Sequence, residues 1–335
     1  MVFRAKAEDS EEVVAIKSVK LQREREGYPV TSLREITLLR KLKHRNIVRV
    51  LEVVTGDAPD QVFVVMEYVK HELKSLLTQG PSFSHSEVKH LFRDLLRALA
   101  YLHENWVFHR DLKTSNLLLT EKGTLKLCDF GLARHFSRPL RPYTPVVVTL
   151  WYRAPELLLG TSRYSEAIDV WSAGCVFAEM LLSEPLFPGR NELDQLDKIF
   201  RSLGPPKDWP EWRAFPLASK VSIPKRHSSL RAKFPSEPYE DQFYLSDLGI
   251  DLLSKLLCYD PAKRISAVEA LQHPYFEEHP LPARPRSHKA ATHSNAHDHQ
   301  DLLNRKRSLD EVQLKQREEL HERTPSPLDR HYAPQ

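Results

Sequence analysis

Asp111, Lys113 and Asn116 lie in one short run, His109-Arg110-Asp111-Leu112-Lys113-Thr114-Ser115-Asn116, and Asp129 follows in Asp129-Phe130-Gly131. These side chains suit phosphoryl transfer. A carboxylate at Asp111 can accept or orient the proton of an attacking hydroxyl. The amide oxygen of Asn116 and the carboxylate of Asp129 are hard oxygen donors, suited to Mg²⁺ held on ATP phosphates. Asp-Phe-Gly taken alone is an ordinary turn tripeptide. The order of the runs carries the reading, with Ala154-Pro155-Glu156 closing the series.

Those residues need a scaffold. Val2 to Lys6, Val13 to Lys20, Val50 to Val54 and Val62 to Met66 read as strands, rich in β-branched residues and partly alternating. Leu33, Ile36, Leu39 and Leu42 recur at three-residue spacing, which predicts a helix with one buried face. From about Val69 the pattern turns helical. Ser84 and Glu87 form a capping-box signal, and Val88, Leu91, Leu95, Leu99 and Leu102 follow on one face. Ile168 to Leu182 is apolar nearly all round and reads as a buried central helix. Residues 204–245 read as an irregular insert, and Asp260 to Phe276 closes the globular region. Beyond Pro280 the apolar period is lost in a His/Ser/Asn-rich tail. The expected organisation is a strand-rich lobe over residues 1–68, a helical lobe over 69–279 and a disordered tail over 280–335. The fold class is α+β and bilobal.

Composition removes several classes. The 335 residues are 41% hydrophobic, enough for a sizeable core, and the net charge is only +4. Basic and acidic residues nearly cancel in the tail, which argues against nucleic acid as a partner. No apolar run reaches the ~18 residues of a membrane-spanning helix. Cys128, Cys175 and Cys258 are far apart with no CxxC spacing, which reads as reduced thiols in a nuclear and cytoplasmic, reducing setting. The tail histidines His293, His297 and His299 read as a solvated polar tract rather than a metal site.

Val14-Ala15-Ile16-Lys17 ends a strand in a cation suited to phosphates. The run Tyr143-Thr144-Pro145 through Arg153 carries a candidate phosphosite at Thr144. Phosphate there would add nearly two negative charges, and Arg34, Arg110 and Arg134, from three segments, are its expected partners. Cys128 is expected beside Leu118 at the floor of a nucleotide pocket, where a buried thiol reads as inert core filler rather than a reactive group.

Together these motifs resemble eukaryotic protein kinases over residues 2 to about 276. Pro29-Val30-Thr31-Ser32-Leu33-Arg34-Glu35 resembles the cyclin-binding helix of cyclin-dependent kinases and is one residue from the Pro-Ile-Thr-Ser-Leu-Arg-Glu subgroup. Tyr143 to Glu156 and Asn105-Trp106 are similar to that subgroup too. The resemblance implies a bilobal fold, ATP with Mg²⁺, a cyclin partner, and Ser or Thr followed by Pro in the substrate. It implies roles in transcription, splicing or the cell cycle. It assigns Lys17 to the α- and β-phosphates, Glu35 to hold Lys17, Asp111 as base and Lys113 near the γ-phosphate, the Ser/Thr-type pattern. It places Glu67 and Val69 at the adenine hinge behind Met66, with Val2 and Ala15 as the roof. Val147, Val148 and Arg153 match the pocket that favours proline. Glu156 is expected to pair with Arg264, and Asp169 to accept backbone N–H groups from the His109-Arg110-Asp111 turn. The glycine-rich loop of the family would lie upstream of Val2. Its absence keeps a second reading open: a catalytically weak cyclin-binding scaffold or a shortened product.

Overall fold

A computed structural model describes residues 2–6, 12–20, 40–56, 61–140, 142–143, 147–225, 229–237 and 244–285. The chain divides into residues 1–286 and 287–335, and every described residue lies in the first unit. Glu35, Arg34, Thr144 and most of the helix expected around Leu33 fall outside the described residues.

The first strands are β1 (Val2–Lys6), β2 (Val13–Lys20), β3 (Val50–Thr55) and β4 (Gln61–Glu67). They form an antiparallel sheet in the order β1-β2-β4-β3. Runs such as Val13-Val14-Ala15-Ile16 and Val62-Phe63-Val64-Val65 favour the pleated backbone, because branched and aromatic side chains pack well on it. The register sets Lys17 between Val2 on one side and Val64 on the other. Among the described residues the buried cluster of this sheet is small: Val62 and Val64, with Val50, Val53 and Met66 against them.

The second lobe follows through β5 (His71–Glu72), α1 (Leu73–Gln79) and α2 (His85–Glu104). The start of α2 carries the expected capping box. Glu87 N donates to Ser84 Oγ at 3.4 Å, and Ser84 N donates back to Glu87 Oε2 at 2.9 Å. Val88, Leu91, Leu95, Leu99 and Leu102 are all fully buried. Four short strands come next: β6 (Val107–Phe108), β7 (Leu117–Leu119), β8 (Leu125–Leu127) and β9 (Arg134–His135). Strand β7 pairs with β5 and β8, and β6 pairs with β9, so the residues between β6 and β7 form a bounded loop.

Helices α3 (Pro155–Leu158) and α4 (Ala167–Leu182) complete the centre. Every residue of α4 from Ile168 to Leu181 is buried. Of the remaining helices, α5 (Glu192–Leu203) packs on α3, α6 (Leu230–Lys233) on α7 (Asp247–Leu256), α7 on α4, and α8 (Ala267–Leu271) on α2. Gly174 permits the close approach of the α7 end, since a Cβ there would sit 2.9 Å from Leu257 Cδ2. The insert after α5 is irregular as expected, with short 3₁₀ turns at Pro210–Ala214 and Ala218–Lys220, but it buries Trp209 and Trp212. The segment before β3 is tied to β8: Asn46 Nδ2 donates to Leu125 O at 2.8 Å, and Leu127 N donates to Asn46 O at 2.8 Å. Among the described residues no helix is long and apolar enough to cross a membrane.

Candidate active site

The loop from His109 to Asn116 begins on a strained residue. Arg110 has φ +67°, in the left-handed region that costs a side-chain-bearing residue about 1–2 kcal/mol. Asp169, fully buried near the start of α4, holds that turn. It accepts from His109 N at 2.7 Å and Arg110 N at 2.9 Å, as the family resemblance implies, and also from His103 Nε2 at 3.2 Å. Burial pushes the Asp169 carboxyl up. The hydrogen bond and charge of His103, with His109 and the Arg110 N–H, outweigh burial and hold it below its usual range. The His109 ring serves the same loop. Its Nε2 donates to Cys128 O at 3.1 Å, and its Nδ1 accepts from Asp111 N at 3.3 Å. Arg110 is likewise internal here: Nε donates to Leu132 O at 2.6 Å, and a terminal nitrogen to Tyr164 OH at 2.9 Å.

Asp111 sits at the tip with a full set of partners. Its Oδ1 accepts from Thr149 Oγ1 at 3.0 Å and from Thr149 N at 3.2 Å. Lys113 Nζ lies 2.8 Å from Oδ2 and also donates to Thr149 Oγ1 at 3.2 Å. Asn116 Nδ2 donates to Asp111 O at 2.8 Å and to Oδ2 at 3.2 Å. The Thr149 hydroxyl thus stands within the reach a substrate hydroxyl needs at this base. With Nδ2 committed to Asp111, the amide oxygen of Asn116 remains as an acceptor.

Asp129 begins the next turn at φ +63°, a region Asp tolerates better than most residues. Phe130 behind it is buried, and Ala133 N donates to Phe130 O at 2.9 Å, closing the turn. Lys17 Nζ reaches across from β2 to Asp129 Oδ1 at 3.0 Å. The Asp129 carboxylate is partly exposed and already attracts a cation. With the Asn116 oxygen it makes a hard donor pair that fits a divalent ion such as Mg²⁺. Such an ion, when bound with ATP, screens phosphate charge and orients the transferring group.

The nucleotide side is built on β1, β2 and β4. Val2 stands beside Lys17, and Ala15 pairs with Arg4 and Met66. The Glu67 carboxylate is turned to Arg49 N and Lys126 Nζ, both at 2.7 Å. With Glu67 N donating to Arg49 O at 3.0 Å, the Glu67 carbonyl and the main chain of Val69 are the part able to read a base. Leu118 lies on β7, and Cys128 N donates to Asn116 O at 3.0 Å, so both sit beside the metal-ligand candidates. A cavity of about 900 Å³ opens beside the hinge, lined by Tyr68, Val69, Lys70 and cations including Arg4, Arg45 and Lys126. None of Lys17, Asp111, Asn116 or Asp129 lines it, so it is not the catalytic cleft.

The turn before α3 is held by Arg153. Val148 has φ +67°, and its carbonyl accepts from a terminal nitrogen of Arg153 at 3.0 Å. Arg153 Nε donates to Val147 O at 2.9 Å, and its other terminal nitrogen meets Glu192 Oε1 at 2.8 Å. Burial pulls the Arg153 pKa down and Glu192 offsets part of that. Glu156 meets Arg264 through two bonds, 2.8 and 3.0 Å, as the resemblance implies. Arg134 donates to Ala133 O at 2.9 Å. The arginine cluster expected around Thr144 involves Arg34 and Thr144, outside the described residues. Three partners were not foreseen: Thr149, Glu192 and Glu179. Only Glu179 left a signal in the chain, a carboxylate in the apolar stretch of α4 that follows Asp169.

Comparison with known proteins agrees with this geometry. The protein kinase domain family matches residues 1–276. Cyclin-dependent kinase G-2 of Oryza sativa subsp. indica is 53% identical over 285 residues, 84% of this chain and 40% of the relative. The serine/threonine-protein kinase PITSLRE of Drosophila melanogaster is 50% identical over 293 residues, 85% of this chain and 30% of the relative. The chain therefore spans well under half the length of these two relatives. The crystal structure of the yeast RNA Pol II CTD kinase CTDK-1 complex contains a chain of TM-score 0.77 and 39% identity, covering 84% of this chain and 91% of that one. Asp111 beside Lys113, oxygen donors at Asn116 and Asp129, and a strand lysine at Lys17 all lie within residues 1–276: the chain belongs to the protein kinase family, and its domain is similar to that of cyclin-dependent kinases.

Proposed function

We propose that this chain is the catalytic domain of a cyclin-dependent Ser/Thr kinase that uses MgATP and acts on Ser or Thr followed by Pro. The observation that carries the proline preference is the Val148 carbonyl. Its left-handed backbone and its bond to Arg153 occupy an acceptor that could otherwise pair with the next N–H of a substrate. A residue with an N–H there would leave it without a partner; proline has none to satisfy. In the reaction the substrate hydroxyl bonds to the γ-phosphorus, the bond from that phosphorus to the leaving diphosphate oxygen breaks, and Asp111 takes or orients the hydroxyl proton. Lys113 balances charge beside Asp111, and Lys17 grips the phosphates, with Glu35 as its partner. Asn116 and Asp129 hold the metal. Val2, Ala15, Leu118 and the Glu67–Val69 hinge enclose the adenine.

The reading extends to a cyclin as partner at the segment around Arg34, Thr144 as an activating phosphosite read by Arg34, Arg110 and Arg134, and a nuclear and cytoplasmic role in transcription, splicing or the cell cycle. Neither a membrane nor a nucleic acid belongs to it. The rival reading, a catalytically weak scaffold, is opposed by the presence of Lys17, Asp111, Asn116 and Asp129 together. A pair of peptides differing only as Ser-Pro and Ser-Ala tests the proposal on cyclin-bound protein. The Ser-Pro peptide should be phosphorylated at least ~10-fold faster, the scale expected when one analogue leaves a polar group unmatched. Equal rates would remove the proline preference, and no transfer to either peptide would remove the enzyme.

A further inference from the structure

Glu179 is out of place by composition. It is fully buried in α4, among residues that are almost all apolar. A carboxylate there stays only if partners offset its lost hydration. It has three. Thr114 Oγ1 donates to Oε1 at 3.0 Å, Lys74 Nζ donates to Oε1 at 2.9 Å, and Tyr152 OH donates to Oε2 at 2.6 Å. The Thr114 and Tyr152 hydroxyl oxygens are themselves 3.2 Å apart. Burial, then the charge of Glu179, push the Tyr152 phenol well above its usual range, so it stays a donor.

The three partners come from three segments. Lys74 opens α1, just past the hinge. Thr114 follows Lys113 in the catalytic loop. Tyr152 lies between Thr149, which touches Asp111, and Arg153, which holds the Val148 carbonyl. The loop and the turn therefore meet twice: at Asp111 with Thr149, and beneath it at Glu179. The upper contact must loosen when a substrate hydroxyl reaches Asp111. The lower one need not.

We infer that Glu179 is a positioning residue that locks the catalytic loop to the substrate-reading turn and keeps their spacing while the contact between Asp111 and Thr149 is exchanged for substrate. The catalytic consequence rests on the function proposed above; the mechanical coupling does not. Glu179→Gln keeps the shape but removes the charge and replaces one acceptor with a donor. Thr114→Val and Tyr152→Phe each cut one arm and keep the size.

Hydrogen exchange on the full chain reads the coupling directly, without any activity. Thr114→Val should speed amide exchange across 149–153 by ~10-fold or more, and Tyr152→Phe should do the same across 111–116. Leu252→Ala, a core substitution on α7, serves as the control, compared with each variant at equal loss of melting temperature. It should leave both segments near the wild-type rate. In peptide assays Glu179→Gln and Thr114→Val should lower kcat ~10- to 100-fold with the KM for ATP within about twofold. If Glu179→Gln does not fold, the two single-arm variants carry the test. The inference is overturned if faster exchange stays in the mutated segment or matches the control. Crossed exchange without peptide phosphorylation would uphold the lock and sink the proposed function instead.

Discussion

Asp111 and Lys17 face one another across the cleft, yet they stand on different foundations. The loop carrying Asp111 is gripped by two buried carboxylates of one helix, Asp169 at its start and Glu179 near its end. That helix lies inside a continuous core that runs from Leu42 to Phe276. Lys17 stands on a four-stranded sheet whose buried cluster, among the described residues, is Val62 and Val64. Its neighbour across the β1 pairing, Val2, is 43% exposed, and Phe3 is 48% exposed. Burial of apolar surface is the main stabilising term, at roughly 25 cal/mol per Å². The base and metal side is therefore held in place before any ligand arrives, which is how charge-stabilising sites work best. Among the described residues the side that carries Lys17 has less apolar burial to fix it.

The largest expected effect lies in the pre-set wall. Asp129→Asn should cut phosphoryl transfer by ~10³-fold or more while the melting temperature stays within about 2 °C, because it removes a metal-ligand charge from a partly exposed site. Near-wild-type turnover would refute the metal assignment. Next comes the core beneath it. Glu156→Ala strands the Arg264 guanidinium in a buried site and should cost about 3–5 kcal/mol in urea unfolding. A cost below about 1 kcal/mol would show that this wall is less rigidly built than its bonds imply.

Two cavity substitutions compare the walls directly. Leu95→Ala, in α2, should cost roughly 2–5 kcal/mol of global stability. Val64→Ala, beside Lys17 on β4, removes less volume and should cost about 1–3 kcal/mol. Its clearer effect should be a raised KM for ATP with kcat little changed. If both variants lose stability alike and ATP affinity is untouched in each, the difference between the walls is not real.

A smaller effect follows pH. His44, His85 and His90 all have pKa values lowered from 6.5, with burial the largest cause in each. In the unfolded chain they take up protons near pH 6.5, and in the folded chain only at lower pH. Stability is therefore full above about pH 6.5 and is lost as pH falls from there through the lower folded values. Melting temperature should drop between about pH 7.5 and 5.5, and His85→Gln with His90→Gln should flatten that slope. The smallest effect belongs to the exposed edge: Phe3→Ser should change stability by no more than about 0.5 kcal/mol.

What could be read from the chain was whatever is local. The strands over Val13–Lys20 and Gln61–Glu67 and the helix after Ser84 follow from side-chain period and capping, which act over a few residues. The identity of Asp111, Lys113, Asn116 and Asp129 as chemistry-bearing groups follows from their types and order. The family resemblance added two long-range pairs, Glu156 with Arg264 and Asp169 with the turn at Arg110, and both are present. The contacts that Arg110 makes within the chain were not legible in this way: its guanidinium donates to Leu132 O and Tyr164 OH, 22 and 54 residues away.

The sequence by itself determined which residue types could serve phosphoryl transfer and where β1 to β4, α2 and α4 would form, because those properties reside in side-chain chemistry and short-range period. Only the tertiary structure decided that Thr149 would fill the hydroxyl position at Asp111 and that Arg153 would take the Val148 carbonyl. It also decided that Glu179 would join Thr114 to Tyr152. The first of these contacts spans 38 residues of chain and the Glu179 bond to Thr114 spans 65. Hydrogen bonds of that reach leave no period in the sequence. They exist because a buried carboxylate or carbonyl must find a donor, and the packing of α4 against the two loops determines which donor is near.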